Sequence, residues 1–289
     1  MSLMSKLLSV TLLATLSLSA NSTSEAEVKD YIKNHMVKSP SVKVSSVDII
    51  GKKSLDNPKG WDAYFVNIHA DVKKSPTVTD KVTVPETLFV KDGFFAPTLI
   101  DMKTGKDFKA NLKPELKDDI YDDKHFVAGN KNAKHKIVVF SDPKCPFCQE
   151  KVPEIYKAVK ENPDTFALYY YHFPLLRIHP ASDVLTRVML IEQKKGHFEN
   201  AMKAYELKNV KASERNATKI LAEVKKVMGI ELTEKDLDAK DISDELKADA
   251  NRGTQALVSG TPTVFIDGKW DRTRDKYKEL LDNKSDSKK

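Results

Sequence analysis

The chain has 289 residues, 48 basic against 42 acidic side chains, a net charge of +6 and 40% hydrophobic residues. That length allows two modest domains, each able to bury a core. Opposite charges are interspersed throughout, which describes a solvated surface and not a nucleic-acid footprint. Two cysteines in so long a chain exclude a disulfide-stapled scaffold.

In chain order, Lys6 precedes an apolar run over residues 7–18, and Ser17, Ser19 and Ala20 supply small residues before the polar stretch opening at Asn21. The run is short for a bilayer span, so residues 1–20 are expected to be a cleaved secretory signal, with an uncleaved anchor as the other reading. Export would place the cysteines where disulfides form and persist.

Residues 21–111 predict an α+β domain. Val28, Tyr31, Ile32, His35 and Met36 repeat at helical spacing. Val42 and Val44 alternate with polar residues. Tyr64, Val66, Ile68, Ala70 and Val72 mark one face of a half-buried antiparallel strand, with Phe65, Asn67, His69 and Asp71 on the other. Apolar runs at 87–90 and 94–100 flank Lys91-Asp92-Gly93, a hairpin signal, and Lys103-Thr104-Gly105-Lys106 is a further turn. His35 and His69 read as ordinary partly buried histidines.

Residues 112–130 are highly charged and read as a linker. Residues 131–283 predict an α/β domain: a strand at 137–140, a helix at 146–160, a strand at 165–173, a helical insert over about 182–251, a strand at 263–266, the turn Asp267-Gly268 and a helix at 276–281. Residues 284–289 are a polar tail.

The two cysteines fall in Cys145-Pro146-Phe147-Cys148, after the apolar run Ile137-Val138-Val139-Phe140 and before a helical pattern. A C-x-x-C at a strand-to-helix junction is the thioredoxin-like redox arrangement. Cys145 would stand at the helix terminus, where free N–H groups and the helix dipole favour a thiolate, and Lys144 could add to the effect. A zinc site would need two more ligands, and the seven histidines include no closely spaced pair. A purely structural disulfide here would close too small a loop to constrain the unfolded chain.

Pro153, inside the helix, and Gly260-Thr261-Pro262-Thr263, before the last strand, turn the motif into a family resemblance. The chain resembles periplasmic disulfide isomerases of the DsbC/DsbG type. Cys-Pro-Phe-Cys is similar to the Cys-Pro-Tyr-Cys of DsbG, Gly-Thr-Pro resembles both proteins, and residues 86–93 read like the sheet of their cystatin-like dimerisation domain. The departures are DsbA-like: the helical insert, Tyr171-His172-Phe173-Pro174-Leu175 and His179-Pro180-Ala181. Val139 stands where thioredoxin and DsbA keep a buried acid, and the extra cysteine pair of DsbC is missing.

The resemblance implies a thioredoxin fold behind an N-terminal dimerisation domain, and a periplasmic homodimer working as a thiol-disulfide oxidoreductase or disulfide isomerase. Cys145, exposed at the helix terminus, would be the nucleophile and Cys148, one turn in and more buried, the resolving thiol, with Pro146 and Phe147 tuning the potential. A cis Pro262 with Thr261 would shape the substrate groove, and the Thr261 hydroxyl could reach the Cys145 sulfur. Lys144, His172 and His179 are weaker candidates, the histidines reading as loop or core residues. No cofactor beyond the Cys145–Cys148 disulfide, no metal and no nucleic acid is expected. Partners would be unfolded or misoxidised exported proteins and a membrane redox protein of the DsbD or DsbB type. The alternatives are a dimeric DsbA-type oxidase, a holdase chaperone with secondary redox activity, and a copper-handling module using both thiols. The Asn216-Ala217-Thr218 sequon reads as chance.

Overall fold

The computed structural model describes residues 23–286; the expected signal segment lies outside the described residues. The first module begins with α1 (Glu25–Tyr31), started by a Ser24/Glu27 capping box and prolonged by a π-helical turn over Ile32–Met36. It packs Val28 and Ile32 on a four-stranded antiparallel sheet of β1 (Val42–Ser54), β2 (Asp62–Lys73), β3 (Thr79–Lys91) and β4 (Phe94–Ala96), in that order. Asp92 and Gly93 both have positive φ, the backbone a tight β3–β4 hairpin demands. Tyr64, Val66 and Ile68 of β2 face the helix, as the alternation predicts. The opposite face is not open. Leu55, Ala63, Phe89 and Phe108 form a second cluster there, covered by Trp61, Leu99 and Leu112, and Phe65 and Asn67 are buried too. His35 is exposed, while His69 bridges Asp48 and Thr83.

The second module is a five-stranded sheet in the order β5-β7-β6-β8-β9: β5 (Phe126–Gly129), β6 (His135–Ser141), β7 (Phe166–His172), β8 (Thr263–Ile266) and β9 (Lys269–Asp271). β6 and β7 run parallel through the crossover helix α2 (Pro146–Glu161), and β8 is antiparallel to β6, with Phe140 opposite Thr263. The near-continuous apolar sequence of β6 and β7 follows from burial on both faces. The helical insert consists of α3 (Ser182–Lys194), α4 (Phe198–Met202), α5 (Ala217–Met228), α6 (Glu234–Leu237) and α7 (Lys240–Gln255), with a 3-10 turn over Lys203–Glu206. α8 (Lys276–Asp286) closes the module and continues beyond residue 283, where a tail is expected.

The stretch 112–130 is not free connecting chain. Ile120 is buried in the second core, and Leu116 N–H donates to the Gly268 carbonyl. Residues 126–129 supply the outer strand β5. Its four residues are too few to show alternation against charged neighbours. Among the described residues no helix is long and apolar enough to cross a membrane.

Candidate functional site

β6 ends at Ser141, and Asp142-Pro143-Lys144 turns the chain into α2. Cys145 is the N-cap, with extended backbone, and Pro146 opens the first turn, where its fixed φ suits a helix and its missing N–H costs nothing. The Cys145 carbonyl accepts from the N–H groups of Cys148 and Gln149, both at 3.0 Å. Cys145 is 5% exposed and Cys148 0%, whereas Phe147 between them is 62% exposed. The expected contrast in accessibility between the cysteines is therefore small, and electrostatics separates them.

The Cys145 thiol is pulled down to about 5, chiefly by its hydrogen bond with Cys148 and further by the Phe147 and Cys148 backbone N–H groups, against the penalty of burial. Burial first, and then the Cys145 sulfur, push the Cys148 thiol far above the usual thiol range. One sulfur is thus set up as a thiolate and the other as a donor to it.

The Thr261–Pro262 peptide is cis and lies against this pair. In its protonated form Cys145 Sγ donates to the Thr261 carbonyl at 3.2 Å. The Thr261 hydroxyl lies within electrostatic reach of both sulfurs but makes no well-formed hydrogen bond, so the contact to Cys145 runs through the backbone instead. Thr263 Oγ1 donates to the Gly260 carbonyl at 2.7 Å and fixes the turn.

Lys144 does not sit over the thiolate. Its buried ammonium donates to the Leu207 carbonyl at 3.0 Å, and burial lowers its pKa. The helical insert offers this carbonyl at the depth where a lysine stem reaches it.

Four residues that the sequence pattern does not single out support the site: Asp142, Ser141, Tyr170 and Tyr205. Asp142 is fully buried and accepts from Lys144 N–H, Leu175 N–H and His179 Nδ1, each at 2.8 Å, and from Ser182 Oγ at 2.5 Å. It ties the residue before Cys145 to the loop after β7 and to the start of α3. Ser141 Oγ and Tyr205 OH are 2.7 Å apart, and Tyr205 OH and Tyr170 OH 2.6 Å, forming a buried hydroxyl chain beside Cys148. His179 is therefore an Asp142 partner. His172 is a core residue held by Gln193 at 3.1 Å, its ring kept neutral because burial lowers it to about 4.

Among the described residues His125, Glu245 and Asp249 bring possible metal donors together. Both His125 nitrogens are already engaged, by Asp122 at 2.6 Å and Asp249 at 2.8 Å, which explains the cluster without an ion.

A thioredoxin family model matches residues 122–283, and the chain belongs to that family. It is similar to the probable disulfide bond formation protein D of Bacillus cereus, 26% identical over 148 residues, which cover 48% of this chain and 68% of the relative. It is also similar to the solved structure of oxidised BdbD from Bacillus subtilis, with 16% identity, 60% of this chain and 95% of that chain covered, and a TM-score of 0.47. A thioredoxin-like oxidoreductase from Silicibacter pomeroyi gives 19% identity, 59% and 99% coverage, and a TM-score of 0.47.

Proposed function

We propose that this chain is a periplasmic thiol-disulfide oxidoreductase that rearranges disulfides in exported proteins, working as a homodimer of the DsbC/DsbG type. The observation that carries the redox reading is the placement of the two sulfurs: Cys145 at the N-cap of α2 and against the cis Thr261–Pro262 peptide, backed by a fully buried Cys148, an arrangement that favours a Cys145 thiolate. The Cys145 thiolate attacks one sulfur of a substrate disulfide, forms a mixed disulfide and expels the other sulfur as a thiolate. If a second substrate thiolate then attacks the substrate sulfur, Cys145 leaves as thiolate and the disulfide has moved without net electron transfer. If Cys148 loses its proton and attacks Cys145 instead, the substrate leaves reduced and the protein is left oxidised by two electrons.

Phe147 projects into solvent between the cysteines, and the cis Thr261–Pro262 peptide lies against Cys145; both suit a polypeptide substrate. The dimer reading rests on the cystatin-like resemblance of the first module, the free edges of its sheet and its exposed apolar residues Phe94, Ile100 and Met102. A membrane redox partner of the DsbD type would keep Cys145 reduced. The second reading, a dimeric DsbA-type oxidase served by a DsbB-type partner, is favoured by the helical insert and by the disulfide bond formation protein among the relatives.

Alkylation of cells before lysis separates the two. Mostly reduced Cys145/Cys148, with repair of scrambled ribonuclease by the purified protein, is the expected result. A mostly oxidised pair that drives net disulfide formation would overturn isomerase in favour of oxidase.

A further inference from the structure

A groove of about 560 Å³ lies in the seam between the two modules, and its walls are basic. β1 contributes Lys52 and Lys53, the connecting segment Lys113 and Lys117, and the outer strand β9 with its next residue Lys269 and Arg272. Lys52 is neutralised by Asp62 at 2.8 Å. Among the described residues no carboxylate comes within ion-pair distance of the other five, and Glu115 is the single acid on the wall. By contrast, Lys151 is paired with Asp275 and Lys160 with Glu199.

Lys113 sharpens the point. It is half-buried, donates to the Leu257 carbonyl, and holds its ammonium 4.8 Å from the centre of the Trp270 ring, which Arg272 approaches at 5.9 Å. Burial alone moves it down to about 8, with no acid to offset the cost. Like charges gathered in a concave, partly desolvated wall raise the local concentration of anions.

The basic wall also has a direction. From β9 the chain passes through Thr273 to Arg274, whose guanidinium lies 5.9 Å from the centre of the Phe147 ring, between the two cysteines. We propose that this groove binds acidic segments of polypeptide substrates. Carboxylates of an extended chain pair with Lys53, Lys117, Lys269 and Arg272 while a disulfide further along the same chain reaches Cys145. The inference rests on the oxidoreductase reading and names the substrate class of that same site. A polypeptide fits better than a lone small anion because the charges come from both modules and lead to the redox pair.

The test uses the full-length reduced protein and peptides sharing one central disulfide, flanked by either Asp/Glu or Ser/Asn runs. Acidic peptides should react about tenfold faster at low ionic strength, with the advantage shrinking as salt screens the wall. K117Q/K269Q/R272Q, all at exposed positions, should bring the acidic-to-neutral ratio toward one, whereas K81Q on β3 should leave the ratio in place. A redox-independent measurement uses the acidic peptide with serine in place of cysteine, titrated against the Trp61→Phe protein, in which Trp270 is the only tryptophan. A saturable fluorescence change lost in the triple variant supports the groove. Equal rates together with no serine-peptide binding overturn it, as does capture of anionic phosphatidylglycerol vesicles without any peptide preference. If the neutral peptide fails to react at all, the oxidoreductase reading falls, and the serine-peptide titration still decides the groove.

Discussion

Asp142→Ala should be the most damaging single change near the site that leaves both cysteines in place. The carboxyl group is fully buried and accepts four hydrogen bonds from three separate segments. Two of its donors, Lys144 N–H and Ser182 Oγ, belong to buried residues and cannot turn to water when the acceptor goes. At about 1–3 kcal/mol for each orphaned donor the loss is roughly 2–6 kcal/mol, in line with the ~3–5 kcal/mol typical of breaking a buried polar pair from one side. His179 and Leu175 lie nearer solvent and should recover part of their bonding. Urea titration of the reduced protein measures the change through the shift in midpoint at constant slope. Asp142→Asn keeps an acceptor oxygen and should cost less, and His179→Ala, which removes one partly exposed donor, about 1 kcal/mol. Should the alanine variant not fold, those two carry the comparison. A loss below about 1 kcal/mol for Asp142→Ala would refute the view that Asp142 organises the turn before Cys145.

Four further outcomes are expected. Alkylation of reduced protein should label Cys145 with a midpoint near pH 5 and leave Cys148 largely untouched; a midpoint in the ordinary thiol range removes the electrostatic argument. Because the folded pKa of Cys145 lies below its unfolded value of 9.0, its contribution to the stability of the reduced form is complete above about pH 9 and is lost as pH falls through about 5. Stability of reduced against oxidised protein, followed over that window, tests the sign. Thr261→Val removes a hydroxyl beside both sulfurs and should move the reduction potential toward oxidase behaviour, an idea that an unchanged potential and an unchanged isomerase-to-oxidase ratio would sink. Light scattering of the full-length protein should give a dimer at micromolar concentration, and a monomer would overturn the isomerase preference along with the dimer.

The dithiol was legible because its setting is local: an apolar strand, a C-x-x-C and a helical pattern lie within a few residues of one another. The strand faces of β2 were half legible. Its helix-facing residues follow period two, but on the other face Ala63 packs in a cluster with Phe108 and Leu112, more than forty residues further on, Phe65 and Asn67 are buried as well, and alternation alone cannot announce such partners. β5 was hidden by its shortness. Asp142 has no sequence signature: the resemblance points to position 139, which is Val139 here, whereas the buried acid of this chain stands three residues before Cys145. The pairing of His125 with Asp249 spans 124 positions and has no sequence signature.

The hydroxyl chain from Ser141 through Tyr205 to Tyr170 joins β6 and β7 to the helical insert, and the Leu207 carbonyl holds Lys144 from the same side. The insert is therefore the rear wall of the dithiol. A shortened chain keeping only the strands, α2 and α8 would open Cys148 to water and give up the desolvation that holds it as a thiol. Substitutions around residues 203–207 should then act on redox chemistry as directly as changes between the cysteines, and the insert and the dithiol would have to be exchanged as one unit in any chimera.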